Sequence, residues 1–234
     1  PARWAGNLKE LLPAAAKVAK QRNHPAVQID DAPRWFADLR KRDGIGARAL
    51  ELAALTATRS QEVRGAVWDE IDLEAGLWII PAVRMKMERE HRVPLTPEAV
   101  SLLEALPRLK DNPLVFPAPR GGQMSDMTLS AAMKRLHAAD IASGGPGFTD
   151  RVSKRPAVPH GLRSTFRDWV AERTHFPGDM AEVALAHKVG NAVEASYRRG
   201  DMVEKRRAMM TAWAEHLEGR LKSKPLDHKG SRES

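Results

Sequence analysis

The stretch "GLWIIPAVRMKMEREHRVPLT", residues 76–96, interrupts a chain that is otherwise dominated by helical patterns. Its two ends, 76–81 and 91–96, are short and contain several β-branched or aromatic residues, which favours strands. The polar segment between them is typical of the connection in a small antiparallel hairpin or meander. The sequence therefore predicts a mainly α (α+β) domain with a small antiparallel β-sheet inserted among helices.

The segments around this hairpin predict helices. Residues 44–58, "GIGARALELAALTAT", are small and apolar after a glycine start, which suits a buried helix. Thr96 and Pro97 form a capping residue followed by a first-turn proline, and residues 128–139 are amphipathic. We expect further helices from His160 to about Glu218 and a loop over residues 143–156.

Three regions differ in composition along the chain. Residues 1–33 are rich in proline, alanine and basic residues, which predicts a linker, and residues 221–234 are polar, which predicts a flexible C-terminal tail. The segment between them, 34–220, is expected to hold one compact domain. A hydrophobic content of 42% over 234 residues can support its core.

The charge balance narrows the class of partner. Lys and Arg number 38 against 30 Asp and Glu, a net charge of +8, which favours a polyanion, most often nucleic acid. The chain has no cysteine, which excludes disulfides and thiolate catalysis. Its histidines lack the spacing of a helical metal site, and no segment reaches the roughly 20 apolar residues that span a bilayer. We expect a cytoplasmic protein without metal, cofactor or membrane association.

The stretch "VPHGLRSTFRDW", residues 158–169, places His160 and Arg163 three positions apart at the start of a predicted helix. Side chains at this spacing share a helix face, so both could present their polar ends to one small anion. Other candidates for chemistry lie elsewhere in the chain: Arg59 at a helix junction with Glu62 three residues on, Lys86 in the hairpin, His187, and Tyr197, the only tyrosine.

Taken in order, these motifs resemble the catalytic domain of the tyrosine recombinase (phage integrase) family, in particular its prophage-type integrases. The resemblance covers residues from about 34 to about 218 and includes "ARALELAALTATR", "VWDEIDL" and "MKMEREHRVPL". It implies site-specific cleavage and rejoining of double-stranded DNA through a 3′-phosphotyrosine. It also implies assembly with other protomers on DNA, a monomer in its absence, and a core-binding domain that precedes residues 1–33.

The resemblance assigns a role to each candidate residue. Arg59 and Arg163 would clamp the reacting phosphate, because planar guanidinium groups match its oxygens. Tyr197 would attack the phosphorus, with His160 as the base and Lys86 as the acid that protonates the leaving oxygen. His187 would donate a hydrogen bond to the phosphate, and Glu62 would orient Arg59 without touching DNA.

Other interpretations of the same residues remain open. A type IB topoisomerase would use the same chemistry to relax supercoils, and a catalytically inactive DNA-binding regulator would need only the basic surface. Taken singly, the arginines could be surface residues and His187 could be a packed core residue. Tyr197 could be a half-buried residue that packs the end of a helix against the core. Gln61 and "LAHKVG", residues 185–190, depart from the wording that is common in the family.

Overall fold

A computed structural model of the chain describes residues 24–187 and 202–220. Its α-helices are α1 (Ala32–Arg40), α2 (Ile45–Thr56), α3 (Ser60–Arg64), α4 (Pro97–Glu104), α5 (Met127–Ala142), α6 (Gly161–Arg173), α7 (Gly178–Ala184) and α8 (Val203–Leu217). Its strands are β1 (Ile71–Asp72), β2 (Leu77–Ile80) and β3 (His91–Pro94). Short 3-10 turns lie at Ile29–Asp31, Trp68–Glu70 and Ala82–Arg84.

The predicted hairpin is confirmed as part of a three-stranded antiparallel sheet with strand order β1-β2-β3. Leu77 pairs with Pro94 and Ile80 with His91, so the polar segment 81–90 connects the two strands. The sequence did not predict β1, which has only two residues and pairs through Ile71 with Trp78. The fold class, mainly helical with a small sheet, is confirmed.

Helix α2 forms the centre of the core, as its apolar composition predicts. Nearly every residue from Ala47 to Thr56 is buried, and α2 packs against α1, α3, α4, α5 and α8. Trp213 of α8 lies against it, with the indole N–H donating to the Ala54 carbonyl at 2.8 Å. The predicted cap of α4 is also present, since the Thr96 hydroxyl accepts from the Ala99 N–H at 3.4 Å.

The first described residues pack along the start of α6. The Val158 N–H donates to the Pro25 carbonyl at 3.0 Å, and the Thr165 hydroxyl donates to the Val27 carbonyl at 2.7 Å. Val27 is 2% exposed. Gly161 permits this close approach, because a Cβ there would lie 1.9 Å from the Pro25 carbonyl oxygen. Residues 24–31 thus contact the helix that carries Arg163, while the linker boundary at residue 33 stays a prediction.

None of the helices within the described ranges is both long enough and apolar enough to cross a membrane.

Candidate active site

The turn between α2 and α3 determines the position of Arg59. Ala57 adopts a left-handed conformation (φ 52°) that ends α2, and Arg59 is the extended residue before α3. The buried Glu62 carboxylate accepts from the Arg59 backbone N–H and from its Nη1, both at 2.7 Å. These two contacts hold the backbone and the guanidinium of Arg59 together, as expected of a residue that orients the arginine.

Arg163 lies on the first turn of α6 and is only 4% exposed. Its Nη1 donates to the Ala57 carbonyl and its Nη2 to the Leu185 carbonyl, both at 2.6 Å. Burial, and then the nearby Arg59 guanidinium, lower the pKa of Arg163 to about 10, so the group stays protonated at neutral pH. A fully charged guanidinium therefore joins the α2–α3 turn to the end of α7.

The two guanidinium groups meet at the end of α7. Arg59 Nη2 donates to the Leu185 carbonyl at 3.3 Å and to the Ala186 carbonyl at 3.4 Å. The Leu185 oxygen thus accepts from both arginines. Because two guanidinium groups donate to this one oxygen, which carries only a partial negative charge, the position that it occupies favours an anionic group.

His187 completes the group. Its Nε2 lies 3.1 Å from Arg163 Nη2 and its Nδ1 lies 2.7 Å from a Glu182 oxygen. A guanidinium can only donate, so Nε2 accepts and the ring proton is on Nδ1, which donates to Glu182. Although burial opposes the change, hydrogen bonds from His187 and Arg167 lower the pKa of the Glu182 carboxyl. The Glu182 carboxylate therefore orients His187 by accepting its Nδ1 proton. The sequence alone did not suggest this role for Glu182.

His160 immediately precedes α6, and its ring centroid lies 4.3 Å from that of His24. Desolvation, followed by the neighbouring His24, Arg163 and Arg59, lowers the pKa of His160 to about 4. The imidazole is therefore neutral at neutral pH and has a free lone pair for a proton.

The structure does not place all the candidates in one group. Arg59, Glu62, Arg163 and His187 are linked by the hydrogen bonds described above, and His160 lies one helical turn before Arg163. Lys86 is solvent-exposed in the β2–β3 connection, with no hydrogen bond or ion pair to that group among the described residues. Tyr197 lies outside the described residues.

One buried residue at the site was missed by the sequence reasoning. His91 begins β3, is 7% exposed, and lies with its Nε2 3.2 Å from the Ala184 carbonyl. Burial, and then Arg206, lower its pKa to about 3, so the ring is neutral, and since a carbonyl only accepts, Nε2 carries the proton. Alternation in "HRVPL" could have indicated that His91 and Val93 share the inward face of the strand.

Among residues 24–187 and 202–220, no group of three or more His, Asp or Glu side chains could hold a metal ion.

Comparisons with known proteins agree with the sequence motifs. Residues 32–204 match the model of the phage integrase family. The prophage integrase IntA of Escherichia coli (strain K12) is 35% identical over 206 residues, covering 86% of this chain and 46% of the relative. The integrase of Enterobacteria phage P4 is 32% identical, covering 87% of this chain and 48% of the relative. The chain spans about half the length of these two relatives.

Solved structures show the same fold at lower identity. The integrase from mycobacterium phage Brujita has a TM-score of 0.57 at 18% identity and covers 89% of this chain and 62% of that one. A lambda integrase(75-356) dimer bound to a COC' core site has a TM-score of 0.51 at 18% identity and covers 73% of this chain and 60% of that one. The resemblance seen in the motifs is confirmed by the family match and by the fold: this chain belongs to the phage integrase family.

Proposed function

We propose that this chain is the DNA-cleaving and rejoining region of a site-specific recombinase. The observation that carries the proposal is the pair of guanidinium groups, Arg59 and Arg163, which donate to the same Leu185 carbonyl oxygen. A phosphodiester in its pentavalent state develops charge on its non-bridging oxygens, and convergent guanidinium donors stabilise that charge. If both arginines moved from the Leu185 carbonyl to a phosphate, they would bind a full negative charge in place of the partial charge on the carbonyl oxygen.

The proposed reaction keeps the energy of the broken bond. The Tyr197 phenolic oxygen attacks phosphorus, the bond to the 5′-oxygen breaks, and the 3′-phosphate stays on the tyrosine. The phenolic proton passes to His160, and the 5′-oxygen takes a proton from Lys86. Reversal by a 5′-hydroxyl of another strand restores both the phosphodiester and the tyrosine. The step needs no nucleotide cofactor, because the covalent linkage conserves the ester bond.

The partners follow from the same proposal. We propose double-stranded DNA at attachment sites as the substrate and the cytoplasm as the location of the reaction. Two lambda integrase structures with this fold are a dimer bound to a COC' core site and a tetramer bound to a Holliday junction. By analogy, we propose that this chain assembles with other protomers on DNA and is monomeric alone. We retain 1–33 as a linker, 34–220 as the catalytic domain and 221–234 as a tail.

The decisive experiment traps the covalent intermediate. The chain is incubated with nicked suicide duplexes of randomised sequence, denatured, digested with nuclease and analysed by mass spectrometry. We expect a nucleotide adduct on the peptide that contains Tyr197. Tyr197→Phe removes one oxygen and little volume, so it should bind DNA as the wild type does and form no adduct.

Arg163→Lys is the second variant in this experiment. An ammonium group cannot reproduce the planar guanidinium fork, so adduct formation should slow by about 100- to 1000-fold while Tyr197 remains the attachment site. An adduct in Tyr197→Phe would show that another residue is the nucleophile. Relaxation of supercoiled plasmid without sequence preference would favour a topoisomerase, and DNA binding without any adduct would favour a regulator.

A further inference from the structure

The end of α7 carries three consecutive carbonyls, and among residues 24–187 and 202–220 three separate elements donate to them. Ala184 O accepts from His91 of β3, and Leu185 O accepts from Arg163 of α6. Ala186 O accepts from Arg59, before α3. The last carbonyls of a helix always need such partners. Here the donors are the candidate catalytic arginines and one buried histidine.

The three donors would not all remain in place during the proposed reaction. Arg59 and Arg163 would turn to a bound phosphate and so release the carbonyls of Leu185 and Ala186. The His91 bond to Ala184 would not take part in that exchange, because His91 belongs to the sheet and is only 7% exposed. Of these three donors, His91 would then be the one that stays bonded to the end of α7, just before His187.

The same histidine also bears on Lys86. The β2–β3 connection that carries Lys86 ends at His91, and the Nε2 atom of His91 bonds to the Ala184 carbonyl of α7. Near its beginning, Arg84 donates to the backbone carbonyl of Glu62, the residue that orients Arg59. Met85, next to Lys86, is 4% exposed. The exposed Lys86 thus lies in sequence between two anchors, one that bonds to α3 and one that bonds to α7.

We propose that His91 is a positioning residue that holds the end of α7 and the Lys86-bearing connection in one frame around the arginine pair. The inference rests on the proposed DNA cleavage by this site. His91 touches neither substrate nor the reacting atoms, and it acts through the Ala184 carbonyl. A neutral imidazole suits this position, because Arg206, Arg163 and Arg59 all oppose a further positive charge there.

Two substitutions separate the hydrogen bond from the volume of the side chain. His91→Gln keeps an N–H donor, whereas His91→Leu is of similar size and has none. Val93→Ala, at a residue of the same strand that is 2% exposed, is the control for lost packing without loss of this bond.

The first measurement is the rate of Tyr197 adduct formation at saturating suicide duplex, below the melting temperature of every variant. We expect a loss of about 10- to 100-fold for His91→Leu, since small misplacements of catalytic groups cost rates of that order. His91→Gln should recover most of the rate, and Val93→Ala should keep it. DNA affinity should stay within about twofold throughout, since His91 is not exposed to DNA.

The second measurement does not depend on catalysis. Hydrogen exchange of the amides at Leu185, Ala186 and His187 should quicken about tenfold in His91→Leu and return towards wild type in His91→Gln. If wild type formed no adduct but exchange behaved in this way, the positioning role would stand and the proposed function would fail. Normal rate and normal exchange in His91→Leu would overturn the inference.

Discussion

The buried guanidinium of Arg163 contacts backbone carbonyls and His187 rather than a carboxylate. Its Nη1 contacts the Ala57 carbonyl and its Nη2 the Leu185 carbonyl, while the carboxylates of Glu62 and Glu182 attract its charge without bonding to it. Burying a charge that no carboxylate contacts directly is costly. The full negative charge of a phosphate would stabilise the buried guanidinium more than carbonyl dipoles do. The site therefore favours an anion even without DNA.

His91 should make folding stability depend on pH. Its pKa is about 3 in the folded protein against an ordinary value of 6.5, so the unfolded chain binds more protons between these values. The stabilisation is therefore complete above pH 6.5 and is lost as pH falls towards 3. In urea denaturation at pH 7 and pH 5, wild type should lose more stability than His91→Gln, by up to about 1.4 kcal/mol per pH unit. Equal losses in the two proteins would contradict the assignment.

At the scale of elements, the sequence predicted best those features that depend on neighbouring residues only. The hairpin over 76–96, the Thr96 cap and the helix junction at Arg59 all formed where predicted, because turn, cap and strand preferences act over a few residues. Strand β1 could not be predicted, since two residues carry no periodicity and pair only because β2 is there.

The site was predictable in part for the same reason. His160 and Arg163 share a turn of α6, and Glu62 lies one turn from Arg59, so their proximity follows from helical spacing. The contacts of both arginines with Leu185 depend on how α7 packs against α6, which no local pattern encodes. His91 was missed because its partner, the Ala184 carbonyl, is 93 residues away in sequence. The role of Tyr197 stays a prediction.

Two helices that both begin with glycine offer an element-scale test. Gly161 is the first residue of α6, and a Cβ added to it would collide with the Pro25 carbonyl. Gly178 is the first residue of α7, and a Cβ added to it would have no neighbour within 4 Å. Gly161→Ala should lower the free energy of unfolding by about 1 to 3 kcal/mol, because backbone must shift. Gly178→Ala should leave it unchanged or raise it by up to about 1 kcal/mol, since alanine favours helix. Urea denaturation of both variants measures this, and equal effects would show that residues 24–31 do not pack against α6 as described.

At the scale of the whole molecule, one central helix supports most of the site. Helix α2 packs against five other helices, and its C-terminal turn leads directly to Ala57 and Arg59. Helix α6, which carries Arg163, packs against α7, which ends three residues before His187. The arginine pair is therefore held by the buried core, whereas Lys86 is carried by an exposed connection that its two anchors restrain. In the proposed reaction, this division would keep the arginine backbones in place around the phosphate and leave the proposed acid able to adjust to DNA.

The net charge of the molecule leads to the last prediction, the salt dependence of DNA binding. With 38 basic against 30 acidic residues, binding should be driven largely by phosphate contacts that release counterions. If six to ten phosphates are contacted, affinity for random-sequence duplex should fall by about 10³- to 10⁵-fold between 50 and 200 mM salt. Fluorescence anisotropy over a salt series measures the slope. Tyr197→Phe should give the same slope as wild type, because a neutral phenol releases no counterion, and an affinity independent of salt would contradict the electrostatic account.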